Sequence, residues 1–242
     1  MNIGHKIVYL DSVDSTNNYV ANLVKSSKID HGTAIMADVQ TAGKGQRGAI
    51  WQAEAGENIL LSVFLKPDKL SVSQQVLLTF FAANSIREVL RKIGISATIK
   101  WPNDIYVGNK KIAGILIENS ISNNHIVHLI LGIGLNVNQL NFEGVNATSI
   151  QLETNEYFQR NELLFMLFYQ LNKNWELITQ QSPKLKAEYL VNMFRIHELS
   201  GFKIGEIEIE GTIIGVDENG LLIVEVKGEK KTFNLKEISF IL

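Results

Sequence analysis

The stretch Gly43-Lys44-Gly45-Gln46-Arg47-Gly48 decides which fold the chain can adopt, and it follows an apolar run over residues 34–39. Its spacing matches G-x-G-x-x-G, the motif that binds dinucleotides where a strand passes directly into a helix. Here the chain instead continues through Ala49-Ile50-Trp51 and Gly56 into another apolar run at residues 58–65. A P-loop is excluded as well, because no Gly-Lys-Ser/Thr closes the stretch. The sequence therefore predicts a flexible cationic loop between two strands, suited to holding a carboxylate or a phosphate.

The composition is that of a globular protein with room for a sizeable core. The chain has 242 residues, of which 45% are apolar and 20% charged, and its net charge of −2 gives no electrostatic argument for nucleic acid as a partner. No apolar run approaches the roughly 20 residues that span a membrane. Residues 1–9 do not resemble a secretory signal, and the absence of cysteine excludes disulfides and thiol chemistry. We expect a cytoplasmic protein.

The apolar periodicity predicts an α+β fold in two domains. A helix of about ten residues should begin near Ser15, and a longer core-facing helix should extend from about residue 73 to Gly94. After about His197 the pattern changes to short runs in which apolar and polar residues alternate, with a hairpin signal at Asn219-Gly220. We therefore expect a catalytic domain over residues 1–196 and a small β-barrel domain over residues 197–242.

Three further stretches contain glycine or polar residues beside predicted strands. They are Lys100-Trp101-Pro102-Asn103-Asp104, Lys111-Ile112-Ala113-Gly114 and Gly132-Ile133-Gly134-Leu135-Asn136-Val137-Asn138. Glycine inside a strand marks a place where backbone or ligand approaches closely. Gly114, Gly132 and Gly134 are therefore candidate positions beneath a ligand.

With these stretches the sequence resembles the biotin protein ligases, also called biotin–[acetyl-CoA-carboxylase] ligases. The resemblance covers about residues 5–140, and the β-rich tail is similar to the small C-terminal barrel of the family. It implies a mixed β-sheet with helices on one face, as in class II synthetases, followed by an SH3-like β-barrel. The matching motifs, in register, are Ser15-Thr16-Asn17, Gln40-Thr41, residues 43–48 with Trp51, residues 100–104, residues 111–118 and residues 132–138.

The resemblance implies a two-step reaction with biotin and ATP as substrates and Mg²⁺ as the usual assisting ion. Biotin is first activated to biotinyl-5′-AMP, and it is then transferred to one lysine of a biotin carboxyl carrier protein. Dimerisation through the central sheet is common in the family. Because the pattern begins by residue 10, we expect no N-terminal DNA-binding domain. Two alternatives stay open: a lipoate–protein ligase, which shares the fold, and a non-catalytic biotin-binding regulatory module.

The resemblance also assigns roles to cationic and acidic residues. Lys111 is the chief cation near the biotin carboxylate and the α-phosphate, and Lys44 and Arg47 on the glycine loop would surround the adenylate. The family usually has arginine where this chain has Lys44 and Gln46, so Gln46 would line the site through hydrogen bonds instead. Asp104 would orient or deprotonate the acceptor lysine, or only help to hold the nearby loop. The five histidines show no metal-ligand pattern, and we predict no metal site built from protein side chains.

The remaining predicted contacts are with the ligand rings. Ser15, Thr16, Asn17 and Gln40 map onto positions that receive the biotin ureido ring, where hydroxyl and amide groups match its N–H donors and its carbonyl. The residues that map near the nucleotide are Trp51, Asn58, Lys100, Asn103 and Asn136. The glycines of the predicted binding set are Gly43, Gly45 and Gly114. Trp51 and Trp101 could instead be ordinary core aromatics, and Ser15 could be a plain helix N-cap.

The glycine loop should become more ordered when its ligand binds. The backbone entropy of glycine is high until contacts offset it, so the amides of residues 43–48 should exchange hydrogen more slowly with biotinyl-5′-AMP than without it. Amide hydrogen exchange followed by mass spectrometry measures this, with the central strands as the internal control. Equal protection of the loop in the two states would contradict the prediction.

Overall fold

The computed structural model of the chain describes residues 2–180 and 182–241, without the side chains of Arg47 and Thr179. Up to about residue 191 the chain contains both strands and helices, and only strands follow. The strands are β1 Lys6–Val13, β2 Thr33–Gln40, β3 Ile59–Leu65, β4 Thr98–Lys100, β5 Asp104–Val107, β6 Lys110–Ser122, β7 His125–Leu135, β8 Leu199–Ile204, β9 Ile207–Val216, β10 Leu222–Val226, β11 Glu229–Phe233 and β12 Ser239–Phe240. The helices are α1 Thr16–Lys25, α2 Val76–Lys92, α3 Ile150–Thr154, α4 Arg160–Gln180 and α5 Ser182–Val191.

The first seven strands form one mixed sheet in the order β1-β2-β3-β7-β6-β5-β4. Strands β1 and β2 are parallel and the other neighbours are antiparallel. Every residue of β3 is buried, which fits a central strand that is apolar on nearly every position and covered on both faces. The predicted mixed sheet is thereby confirmed.

Helices lie on both faces of this sheet. The main core joins α2, α4 and α5 to one face, with Leu61 of β3 and Leu131 of β7 among its members. A second cluster lies on the opposite face, where Val20 of α1 packs with Ile130 of β7. Three helices therefore lie on one face, as the sequence predicted, whereas α1 covers the other. The physical reason is that β3 and β7 carry apolar side chains on both faces of the sheet, so the second face also has to be buried.

The last five strands form a separate antiparallel sheet in the order β11-β10-β9-β8-β12, which confirms the predicted all-β tail. Phe202 of β8 and Leu222 of β10 belong to the same apolar core as the helices. Trp101 also packs in this core, and its Nε1 atom donates a hydrogen bond of 2.9 Å to the Gly220 carbonyl. Trp101 is therefore a core aromatic that ties the two sheets together. The domain boundary at residue 197 stays a prediction.

Local sequence signals explain the helix ends that matter for the site. Ser15 occupies the N-cap position of α1 with an extended backbone, as its residue type favours, but among the described residues its side chain makes no capping hydrogen bond. The long helix α2 is preceded by a short 3-10 turn that begins with a capping box between Ser71 and Gln74. Within the described ranges, no helix is long and apolar enough to cross a membrane.

The contact between Trp101 and Gly220 should contribute measurably to stability. Trp101→Phe keeps most of the buried ring but leaves the Gly220 carbonyl without this donor, so we expect a loss of about 1 kcal/mol in the free energy of unfolding. Urea denaturation followed by circular dichroism measures the change. Trp175→Phe, which alters a partly buried tryptophan in the helical layer, serves as the comparison. A Trp101→Phe protein as stable as the wild type would contradict the proposed tie.

Candidate functional site

The floor of the site is a patch of sheet without side chains. Gly114 of β6 and Gly134 of β7 are cross-strand partners, and Gly132 follows on the same face. A Cβ atom built on Gly134 would collide with the Trp51 indole, and one on Gly132 would collide with the Asn17 amide. The three glycines thus let bulky groups lie directly on the sheet, on the face that α1 covers.

A cavity of about 200 Å³ lies above this floor. One end is lined by the hydroxyl and amide side chains of the α1 N-terminus and of the end of β2, and the other end by charged side chains. The predicted site residues that line it are Ser15, Thr16, Asn17, Gln40, Lys44, Gly45, Gln46, Trp51, Asn103, Asp104, Lys111 and Gly114. Segments far apart in sequence therefore meet in one cavity with a polar end and a charged end.

The polar end is organised by the start of α1. Thr16, Asn17 and Ser15 are buried, and the Thr16 backbone N–H donates a hydrogen bond of 2.8 Å to Gln40 Oε1. Because a backbone N–H can only donate, this bond directs the Gln40 carbonyl oxygen to the helix and leaves the Gln40 Nε2 donors for other partners. The cavity end thus presents both donors and acceptors.

The glycine loop folds back as a small hairpin. Gly45 N donates to Ala49 O over 2.7 Å, Trp51 N donates to Gly43 O over 2.9 Å, and a 3-10 turn connects them. Gly43 is needed for this close return, because a Cβ there would meet the Trp51 carbonyl. The hairpin places the Trp51 indole over the glycine floor. The Lys44 Nζ atom donates to Asn18 Oδ1, and the Arg47 side chain lies outside the described residues.

An ion pair forms the charged end. Lys111 Nζ lies 2.7 Å from Asp104 Oδ1, and both side chains are about one quarter exposed, at 27% and 24%. Lys111 Nζ also lies 5.3 Å from the centroid of the Trp51 ring. Asn103 supports the turn before Asp104, since its Nδ2 donates to the Ile115 carbonyl over 2.6 Å. The ammonium group is therefore held at the cavity with solvent access and one carboxylate neighbour.

A second cavity, of about 510 Å³, adjoins the first and shares Ile50, Trp51 and Lys111 with it. Asn136 lines this cavity together with parts of the segment 139–147. The Asn136 Nδ2 atom donates to the Thr148 carbonyl over 2.9 Å. Within the described residues, neither Asn136 Oδ1 nor Trp51 Nε1 has a hydrogen-bond partner, although both atoms are buried. A ligand in this cavity could pair with either atom.

Three predicted contacts line neither cavity: Gly43, which shapes the return of the glycine loop, and Asn58 and Lys100. Asn58 is buried behind the second cavity, where its Oδ1 accepts from Val137 N over 3.0 Å and its Nδ2 donates to Gln139 over 2.6 Å. Lys100 donates to Tyr106 Oη over 3.1 Å on the other side of the Asp104 strand. Burial lowers the pKa of Lys100, and burial raises the pKa of Tyr106 to about 12. Asn58 and Lys100 therefore support the walls of the site from behind.

Sequence reasoning missed two polar residues that contact the predicted set. Ser62 of β3 lies within hydrogen-bond distance of Thr16 and Asn17, and Glu118 of β6 accepts from Asn17. The segment 139–147 was missed as well, because it shows no periodicity or motif. A polar serine inside the otherwise apolar run of β3 was the one available signal. No group of three or more His, Asp or Glu side chains that could hold a metal occurs among the described residues.

The comparisons with known proteins agree with the predicted family. The model of the "Biotin/lipoate A/B protein ligase family" matches residues 9–136. The chain is 32% identical to the "Bifunctional ligase/repressor BirA" of Escherichia coli over 98% of this chain and 74% of that protein. It is 31% identical to the "Biotin--[acetyl-CoA-carboxylase] ligase" of Paracoccus denitrificans over 96% of this chain and 99% of that protein.

A solved structure shares the whole fold. The Aquifex aeolicus biotin protein ligase in complex with biotin and ATP aligns with a TM-score of 0.79 at 28% identity, over 97% of this chain and 98% of that chain. The family model covers the segment that contains both the glycine loop and the glycine floor, and the similarity to the two ligases extends over nearly all of the chain. The chain therefore belongs to the biotin/lipoate A/B protein ligase family.

Proposed function

We propose that the protein is an ATP-dependent biotin protein ligase, which forms biotinyl-5′-AMP and transfers biotin to a lysine of a biotin carboxyl carrier protein. One observation carries the proposal: a cavity with a polar end and a cationic end adjoins a second cavity, and Lys111 and Trp51 lie in both. This arrangement suits two anionic substrates whose reacting groups must meet at one place.

The first cavity suits biotin. Its ureido ring would lie at the polar end, against Ser15, Thr16, Asn17 and Gln40, and its carboxylate would extend toward Lys111. The floor of glycines leaves room for the fused rings between the sheet and the hairpin loop. Lipoate has a dithiolane ring without N–H donors, so it would leave the buried polar groups of this end unpaired, which is costly. The polar end therefore favours biotin over lipoate.

The second cavity suits the nucleotide. The unpartnered Oδ1 of Asn136 could accept a hydrogen bond from the amino group of adenine, and Trp51 would separate the two ligands. Lys111 then lies where the carboxylate and the α-phosphate approach one another. ATP would enter as its Mg²⁺ complex, with phosphates as the chief ligands of the ion, because Mg²⁺ is usually bound through substrate phosphates and one or two carboxylates.

The first step is an attack of one anion on another. A biotin carboxylate oxygen bonds to the α-phosphorus, the bond to the bridging oxygen of the β-phosphate breaks, and pyrophosphate leaves. Coulomb repulsion opposes the approach, and a cation fixed between the two groups offsets that repulsion best where water is excluded. Lys111 supplies this charge, and Lys44 and Arg47 on the loop are proposed to add to it.

The second step requires an uncharged amine. The acceptor lysine, whose unperturbed pKa is about 10.4, must lose a proton before its nitrogen attacks the biotinyl carbonyl and the C–O bond to AMP breaks. Asp104 lies beside Lys111 at the cavity, where its carboxylate can orient the incoming amine and accept a hydrogen bond from it. Asn103 keeps Asp104 in place.

The proposed location, domains and partners of the enzyme follow from the same function. We propose a cytoplasmic enzyme with a catalytic domain over residues 1–196 and a small β domain over residues 197–242, without nucleic acid or a membrane as a partner. A homodimer through the central sheet is a further prediction, which light scattering at several protein concentrations would test.

Biotin-dependent exchange between ATP and pyrophosphate tests the proposed function directly. We expect exchange with biotin, weaker exchange with lipoate, and transfer of biotin to a purified carrier domain. A preference for lipoate would identify a lipoate ligase. Biotin binding without any exchange would identify a binding module. The uncharged Gln46, at a position where the family usually has arginine, would then explain the missing catalysis.

Lys111→Ala should abolish the exchange while leaving the protein folded. The variant removes the cation shared by the two cavities, whereas a partly exposed lysine contributes little to stability. The rate should fall by at least about 100-fold, since a single electrostatic contact to the reacting groups is often worth that much. Lys110→Ala, which changes the exposed neighbour, is the matched control. Exchange that survives in Lys111→Ala would show that the assigned role is wrong.

Gly134→Ala should weaken biotin binding, because its methyl group would displace the Trp51 indole from the floor. We expect the Kd for biotin to rise by at least about tenfold, equivalent to about 1.4 kcal/mol. Isothermal titration calorimetry measures the Kd. Gly201→Ala is the control, since a Cβ at that strand glycine meets Ile241 at an ordinary 3.4 Å. Unchanged binding by Gly134→Ala would contradict the floor model.

A further inference from the structure

A chain of hydrogen bonds runs beneath the polar end of the first cavity. Asn17 Nδ2 donates to Glu118 Oε2 over 2.6 Å. The Ser62 hydroxyl oxygen lies 2.5 Å from Asn17 Oδ1 and 2.7 Å from Thr16 Oγ1. Thr16 Oγ1 in turn lies 3.0 Å from Gln40 Oε1. Ser62 is fully buried, so these contacts cannot be exchanged for water.

Each hydroxyl carries a single proton, so an unbroken relay, in which every group donates to the next, can run in only two directions. In the outward direction Thr16 donates to Ser62, Ser62 donates to the Asn17 carbonyl, and the Asn17 amide donates to Glu118. In the inward direction the Asn17 amide is flipped and donates to Ser62, Ser62 donates to Thr16, and Thr16 donates to Gln40. The Thr16 backbone N–H satisfies Gln40 Oε1 in both directions. The outward direction leaves Thr16 Oγ1 and Gln40 Oε1 as two neutral acceptors 3.0 Å apart.

Glu118 distinguishes the two directions. An ionised carboxylate only accepts hydrogen bonds, and the inward direction would place the Asn17 carbonyl oxygen about where Nδ2 now lies, against that carboxylate. Two acceptors in contact repel each other, and the contact with the charged carboxylate at 2.6 Å costs more than the contact between the neutral Thr16 and Gln40 oxygens at 3.0 Å. The outward direction is therefore the one that Glu118 permits.

We infer that Glu118 and Ser62 are positioning residues for biotin, which act by setting the direction of the Thr16 hydroxyl. This inference rests on the proposed function. In the outward direction the Thr16 proton points away from the cavity to Ser62, so the hydroxyl meets a ligand as an acceptor. The ureido ring of biotin offers N–H donors that fit such an acceptor. In the inward direction Ser62 occupies one Thr16 lone pair, and the acceptor is weaker.

Glu118→Gln tests the inference, because glutamine keeps the size and a hydrogen bond to Asn17 but can pair with either orientation of its amide. Glu118 is exposed at the edge of the network, so the protein should remain folded. We expect the Kd for biotin to rise about three- to tenfold by calorimetry, with kcat of the exchange at saturating biotin within about twofold of wild type. A purely structural hydrogen bond would be restored by glutamine. Unchanged biotin affinity in Glu118→Gln would overturn the inference.

A double-mutant cycle shows whether Glu118 acts through Ser62. Ser62→Ala breaks the chain, so adding Glu118→Gln to it should raise the Kd by less than about twofold. If Glu118→Gln raises the Kd for biotin in the Ser62→Ala background by as much as it does in the wild type, Glu118 does not act through Ser62. Glu225→Ala, on an exposed strand position of the small β domain, is the control and should bind as wild type.

The two proposals fail in different ways. A wild-type protein without biotin-dependent exchange overturns the proposed function. Wild-type exchange combined with wild-type affinity in Glu118→Gln overturns only the positioning role. Glu118→Gln decides the question by itself if Ser62→Ala is unstable.

Discussion

The site depends on the absence of side chains at three neighbouring positions of the central sheet. Gly114 and Gly134 face each other across β6 and β7, and any Cβ on Gly134 would occupy the volume of the Trp51 indole. Because the indole can lie on bare backbone, the hairpin loop folds down close to the sheet and encloses a cavity between itself and the start of α1. Without this floor, the hairpin loop and the polar end could not enclose a single cavity.

The two ends of the cavity differ in kind: one is organised by charge and the other by the direction of hydrogen bonds. Lys111, paired with Asp104, provides a fixed charge at the place where the two cavities meet, and in the proposed reaction a carboxylate and a phosphate approach one another there. The described side chains that line the polar end, those of Ser15, Thr16, Asn17 and Gln40, are uncharged. We propose that the selectivity of this end comes from which atoms donate and which accept, with the acceptor-only carboxylate of Glu118 setting that pattern from the edge of the network.

Much of the fold and part of the site could be predicted from the sequence. The apolar runs gave β3 and α2 closely, and the register of the motifs led to the family that the comparisons confirm. The position of α1 on the opposite face was not predicted, because periodicity shows that a helix has an apolar side but not which face of a sheet receives it. Asn58 and Lys100 belong to matching motifs, yet they support the site from behind, a distinction that depends on side-chain direction and burial.

By itself the sequence determined the α+β class with its all-β tail, the glycines at the floor, the candidate cations and the family, since each of these depends on residue type and spacing along the chain. The tertiary structure alone decided that Trp51 lies over Gly134, that Lys111 is shared by two cavities, and that Ser62 and Glu118 join the hydrogen-bond network beneath the first cavity. The physical reason is that these contacts link residues of β3, α1, β6 and the loop, which are distant along the chain. Only the packed sheet brings their side chains within hydrogen-bond distance.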